Sequence, residues 1–263
     1  MASARVLMLG DVVGESGIRA IDAGLADLVR SHRADFVIVN AENAADGFGI
    51  TPSIAEHLWD IGISVITTGN HIWQRSEIRD YLPSHPTLLR PANYPDGAPG
   101  TGSCVARSGD LAVAVINLQG RVRLPNIDCP FRKAERLVKE AGEKTKSIII
   151  DFHADDTEEK EALAAFLDGT VSAVAGTHTH VQTADARISE NGTAFITDIG
   201  MTGPVSSVIG FDPAIARERM VTQMPLKMEV SGEKAAIRAV AFEIDSNGGR
   251  CTSIDTIEFV PKL

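Results

Sequence analysis

A chain of 263 residues, 44% of them hydrophobic, is long enough to bury a full core and is expected to form one domain over residues 1–263. Its 25 basic and 35 acidic residues leave a formal charge of −10, which repels a long polyanion, so bulk nucleic acid is not an expected partner. A phosphate-bearing substrate would need concentrated positive charge on this acidic background, and a metal cluster is the compact way to supply it.

Cys104, Cys129 and Cys251 are far apart, odd in number and without CxxC spacing, which indicates neither a disulfide framework nor a thiolate metal site. The apolar run at 6–9 is ended by Gly10 and Asp11 before a signal-peptide core could form. No stretch approaches the roughly 18 apolar residues of a membrane span. The expectation is a soluble, cytoplasmic protein with no membrane partner.

The elements follow in chain order. A buried strand is predicted at 6–9 and a helix at 16–32 with a Ser cap, its apolar residues Ile18, Ile21, Leu25, Leu28 and Val29 at helical spacing. A second strand at 36–39, a helix at 51–61 opened by Thr51 and Pro52, and a third strand at 64–67 complete a β-α-β-α-β alternation. Such alternation predicts a parallel sheet covered by helices. A Pro/Gly-rich passage at 83–102 precedes a hairpin, 103–107 with 111–116, turning at Ser108, Gly109 and Asp110. After a helix at 131–143, the same sheet is expected to resume with strands at 147–152 and 171–175 around a helix at 157–167. The last third alternates short strands with turns and is expected to form a second, antiparallel sheet.

Metal-binding residue types sit at the carboxyl ends of these strands: Asp11, then Glu42 and Asn43, Asn70 and His71, His153, and finally His178 and His180. Ligands of open parallel sheets bind at that edge. Burying ionised Asp11 and Glu42 beside several imidazoles is costly without compensation, which a divalent cation provides. Oxygen and imidazole donors without thiolate suit iron, manganese or zinc, and their number suits two cations. Taken singly, a strand-end Asp is an ordinary helix cap and a lone His an ordinary structural residue. The joint placement carries the argument. His178 and His180 are expected to face one site because residues i and i+2 of an extended chain point the same way. His32, His57 and His85 lie in helix or loop contexts without partners and are read as surface residues. Gly10, Gly14 and Gly17 match neither GxGxxG nor a P-loop, and no GxSxG elbow is present.

These motifs, Gly10-Asp11-x-x-Gly14, Glu42-Asn43, Gly69-Asn70-His71, His153 and Gly176-Thr177-His178-Thr179-His180, resemble the calcineurin-like metallophosphoesterase superfamily. Residues 40–45, 118–121, 176–184 and 197–204 extend the resemblance to its YmdB-like branch over nearly the whole chain. Two positions depart from the broad superfamily: Val13 stands where a histidine is usual, and Glu42 where the bridging ligand is usually aspartate. Asn43 could supply the donor lost at Val13.

The resemblance implies an α/β fold, a layered α-β-β-α sandwich with the metal site at the carboxyl ends of the parallel strands. It implies two divalent metal ions, iron first with manganese or zinc as alternatives. Asp11, Glu42, Asn43 and His180 would hold one ion, and Glu42, Asn70, His153 and His178 the other, with Glu42 bridging. His71 is left as proton donor to the departing alkoxide. The implied reaction is hydrolysis of a small phosphodiester, 2',3'-cyclic nucleotides to 3'-nucleotides, through in-line attack by a hydroxide bridging the ions. A phosphomonoesterase or 5'-nucleotidase, and a metal-dependent regulatory protein that binds a nucleotide or RNA end with little turnover, stand as alternatives. Arg121, Asp198 and Thr202 lie in loops near these motifs, are equally explained as turn or surface residues, and stay outside the catalytic set. A homo-oligomer is left open.

Overall fold

In a computed structural model, residues 3–232 and 234–262 are described. Along the chain come β1 (Ser3–Leu9), β2 (Asp11–Val12), α1 (Gly14–His32), β3 (Phe36–Asn40), α2 (Pro52–Asp60), β4 (Val65–Thr67) and α3 (Ile78–Tyr81). Next are β5 (Ser103–Ser108), β6 (Leu111–Gln119), α4 (Pro130–Gly142), β7 (Ser147–His153), α5 (Thr157–Leu167) and β8 (Ala173–Thr177). The chain closes with β9 (Arg187–Ile188), β10 (Ala194–Ile196), β11 (Met201–Pro204), α6 (Pro213–Thr222), β12 (Ala235–Asp245) and β13 (Cys251–Phe259).

Two sheets result. One has the order β2-β11-β12-β1-β3-β4, with β13 also on β12, and the other runs β5-β6-β7-β8-β10-β9. β1, β3 and β4 are parallel neighbours as expected, whereas β7 and β8 belong to the second sheet, parallel to β6 and β10. The C-terminal strands do not build a sheet of their own: β12 lies antiparallel to β1, and β13 antiparallel to β12, in the first sheet. Side-chain alternation explains how two sheets stack. Val6 and Met8 of β1, with Phe36 and Ile38 of β3, pack against Val113, Val115 and Ile149 between the sheets. Leu7, Leu9, Val37 and Val39 point the other way, onto Ile21, Leu25 and Leu28 of α1 and Leu58 of α2. On the far side Ile116, Ile148, Ile150 and Phe152 meet Ala134 of α4 and Leu163 and Leu167 of α5. The layers are therefore α-β-β-α.

Helix α1 begins earlier than its sequence suggested, with Val13 at the N-cap and no side-chain cap; Ser16 lies inside the helix, its hydroxyl donating to the Val13 carbonyl at 3.3 Å. In α2 the expected cap is present, Thr51 Oγ1 accepting the Ile54 N–H. The β5–β6 hairpin turns at Gly109-Asp110, with Gly109 at φ +56°.

Candidate metal centre

Both sheets deliver the carboxyl ends of their parallel strands to the same end of the sandwich. Asp11 follows β1, Glu42 and Asn43 follow β3, and Asn70 and His71 follow β4. His153 closes β7, and His178 and His180 follow β8. Asp11, Glu42 and His153 are fully buried, Asn43 and His180 nearly so, and Asn70, His71 and His178 half-buried.

Glu42 stands at the centre. Its Oε1 lies 3.1 Å from His153 Nε2 and 3.2 Å from both His71 Nδ1 and the Asn43 side-chain nitrogen. Its Oε2 accepts the His71 N–H at 3.0 Å. Burial pushes the Glu42 carboxyl up, yet the charge and hydrogen bond of His153, with those of His71, hold it well below the usual carboxylate range. Burial likewise opposes charge on His153, but Glu42 and then Asp11 raise its pKa to about 9. His178 is pushed down to about 3, by burial first and then by His153, so its ring is neutral.

The hydrogen bonds around His153 fix its tautomer. Thr177 Oγ1 donates to Asp151 Oδ1 at 2.7 Å and accepts from His153 Nδ1 at 3.0 Å. His153 Nε2 is thereby turned toward Glu42 Oε1, Asn70 Oδ1 at 3.2 Å and His178 Nδ1 at 3.0 Å. Four electron donors meet at one point, and Glu42, His153 and His178 bring donor atoms within 4.8 Å of one another. A cation relieves that convergence, taking the place of the proton that Glu42 draws onto His153. A second position is outlined by Asp11, whose Oδ1 is buried without a hydrogen-bond partner. His180 also faces it, since His180 Nδ1 is committed to the Ile209 carbonyl at 2.8 Å. The Asn43 amide nitrogen lies 3.1 Å from His180 Nε2, while its oxygen lies 2.7 Å from His71 Nδ1. For Asn43 to donate oxygen to a cation, that amide turns over. The donor set fits two cations of the iron, manganese or zinc type.

Close packing leaves no latitude at Gly69, where a Cβ would fall 2.2 Å from His153 Cδ2 and 2.4 Å from Glu42 Oε2. One expectation is corrected. His178 and His180 do not alternate along an extended chain; β8 ends at Thr177, and the two residues sit at φ 104° and 67°. Such backbone persists only where surrounding contacts enforce it. The remaining histidines lie apart from the centre, though two have partners: His57 meets Asp22 at 2.7 Å, and His85 stacks on Tyr81 with ring centroids 3.6 Å apart.

Other residues escaped the sequence reading. Asp151, buried in β7, accepts hydrogen bonds from Thr67, Thr177 and Asn40, joining both sheets behind His153. A carboxylate inside the apolar run at 147–152 was the available signal. Asp198 is buried and paired with Lys160, not a surface turn residue. Thr202 is buried in β11, its hydroxyl directed at the Arg238 carbonyl. Arg121 is exposed, and its backbone N–H donates to the Glu159 carboxylate. Asn43 pairs across a parallel bridge with Val13, so it lies beside the position where the superfamily histidine is missing.

The fold and the carboxylate-imidazole-amide centre define a metallophosphoesterase. A structure from Staphylococcus aureus described as a 5'-nucleotidase shares the fold, with a TM-score of 0.61 at 13% identity, covering all of this chain and 55% of that one. The chain belongs to the YmdB-like protein family, whose model matches residues 7–257. A 2',3'-cyclic-nucleotide 2'-phosphodiesterase of Bacillus subtilis is 44% identical over 253 residues, 96% of each chain. The crystal structure of a novel phosphatase from Mycoplasma pneumoniae superposes with a TM-score of 0.93 at 36% identity, covering 100% of this chain and 95% of that one. Among the described residues, no helix is long and apolar enough to cross a membrane.

Proposed function

We propose that this protein is a two-metal phosphodiesterase that opens 2',3'-cyclic nucleotides at the 2' ester and leaves 3'-nucleotides. The observation that carries the proposal is the position of Glu42, a fully buried carboxylate held between the two donor sets. Its similarity to the Bacillus subtilis enzyme over 96% of both chains supports the substrate class. Asp11, Glu42, Asn43 and His180 would hold one cation, and Glu42, Asn70, His153 and His178 the other, iron being favoured over manganese or zinc. Divalent cations so held supply a nucleophile at neutral pH and neutralise phosphoryl charge.

The remaining steps belong to the chain's own side chains. Glu42 holds His71 by its Nδ1 edge, leaving Nε2 of the imidazolium to face the substrate and hand a proton to the departing 2' oxygen. Phe48, edge-on to the His71 ring at 5.2 Å, fixes that ring's plane. Free Cys104, Cys129 and Cys251 support a reducing, cytoplasmic setting, and the whole chain acts as one domain.

The test is hydrolysis of 2',3'-cyclic AMP by protein reconstituted anaerobically with iron(II) or with manganese, beside Glu42→Ala. Metal-dependent turnover lost in the variant is expected. Turnover that survives in Glu42→Ala, or hydrolysis of 5'-nucleotides in place of the cyclic substrate, would overturn the proposal.

A further inference from the structure

Lys160 lies in α5 with no exposed surface, an uncommon place for an ammonium group, and the chemistry proposed above does not use it. Its Nζ donates to Asp198 Oδ2 at 2.9 Å, and neither side chain reaches solvent. The same carboxylate accepts two backbone donors, the Thr179 N–H on Oδ2 at 3.0 Å and the Gly200 N–H on Oδ1 at 2.8 Å. Asp198 is itself clamped to the loop beyond: its N–H donates to Thr183 Oγ1 and its carbonyl accepts the Thr183 N–H, each at 3.0 Å.

Thr179 is the residue between His178 and His180, and Gly200 accepts the Asp11 N–H on its carbonyl at 3.1 Å. One buried carboxylate therefore grips the peptide that carries both imidazoles and, through Gly200, the peptide that carries Asp11. The grip is needed because no strand ladder extends past Thr177, while the two histidines sit at φ 104° and 67°, backbone that side-chain-bearing residues hold only when surrounding contacts enforce it.

We propose that the Lys160–Asp198 ion pair is a positioning device for the metal centre, locking the His178-Thr179-His180 segment so that one imidazole serves each cation. The proposal rests on the reading of these histidines as ligands of a two-metal centre. A buried ion pair is a poor source of net stability, since removing both charges from water offsets their attraction. What the charges provide is an acceptor strong enough to hold the Thr179 N–H and Gly200 N–H together, where a neutral amide oxygen accepts more weakly.

The experiment compares the wild type with the double variant Lys160→Met/Asp198→Asn, near in shape and uncharged. Thermal unfolding of the metal-free proteins is measured first, then cobalt(II) binding by visible absorption. The expected result is a metal-free Tm within a few degrees of wild type, cobalt affinity lowered about 10- to 100-fold at both positions, and a shifted cobalt spectrum. Asp198→Asn alone, which keeps the side-chain volume, gives the same cobalt readout if the double variant does not fold. Unchanged cobalt affinity and spectrum would overturn the proposal, as would a large fall in metal-free Tm with cobalt affinity retained. A wild type that binds fewer than two cobalt ions overturns the two-metal reading itself, and the positioning role with it.

Discussion

Asn117 of β6 grips the peptide of Thr68 across the boundary between the sheets: its side-chain nitrogen donates to the Thr68 carbonyl at 2.9 Å and its Oδ1 accepts the Thr68 N–H at 3.0 Å. Thr68 follows β4 and immediately precedes Gly69, Asn70 and His71. The second sheet thus sets the position of residues delivered by the first.

Asn117→Ala leaves the Thr68 N–H without a partner in a buried site and its carbonyl with only the longer contact from the Asn40 amide at 3.4 Å. The unpaired N–H alone costs about 1–3 kcal/mol, so a fall of at least that size in unfolding free energy is expected in urea titrations. Activity falls as well, because Asn70 and His71 lose their anchor. Wild-type stability in the variant would show that the clamp is idle.

Gly69→Ala tests the tightness of the centre with a single methyl. The added Cβ overlaps His153 and Glu42 at 2.2 and 2.4 Å, so these side chains must shift while the core away from the loop is untouched. Metal content by mass spectrometry should fall sharply, with far-UV circular dichroism preserved. Full metal loading would contradict the packing described.

Under the proposed assignment, His71→Ala removes the proton donor and no ligand. Retained metal with turnover lowered about 10²- to 10⁴-fold is the expected pair of results, the range that general acid catalysis contributes. A loss of metal equal to that on mutating His153 would instead make His71 a ligand.

Above about pH 6.5 the metal-free protein should lose stability as pH rises. His153, raised from 6.5 to about 9 in the fold, binds its proton more tightly there than in the unfolded chain; its contribution is full below 6.5 and gone above about 9. Below that window Asp11, raised from 3.8 to about 6 mainly by burial, acts in the same direction, while His178, pushed down to about 3, acts in the opposite one. Metal binding must displace such protons, so cobalt or manganese affinity should increase across the same interval. A chemical-denaturation series from pH 6 to pH 9 checks the first statement and metal titration the second; a flat profile in both would contradict the electrostatics assigned to Glu42 and His153.

Much of this was legible in the sequence, and the limits have physical causes. The strands before Asp11, Glu42 and Asn70 were readable because buried parallel strands are short apolar runs closed by polar residues. Their partition into two sheets was not, since β3 and β7 carry the same kind of run and nothing local says which neighbour each takes. The antiparallel docking of β12 on β1 depends on contacts more than 200 residues apart in sequence. Helix α6 was missed although Asp212 and Pro213 form an ordinary capped start, its side chain accepting from the Ala214 and Ile215 N–H groups. The candidate ligands stood out by residue type at strand ends. The support behind them did not: Asp151 reads as one polar residue in an apolar strand, and Lys160 as one more charge on a helix. Their burial is visible only once the sheets are stacked.

For a two-metal phosphodiesterase acting on a cyclic ester, the identity of the product is the decisive observation. Iron- or manganese-loaded protein is incubated with 2',3'-cyclic AMP and the monophosphates are separated by chromatography. The expected product is 3'-AMP, formed only with metal and abolished in Glu42→Ala. Formation of 2'-AMP would contradict the assigned ester preference, and an unchanged cyclic substrate with a fully loaded enzyme would contradict the phosphodiesterase itself.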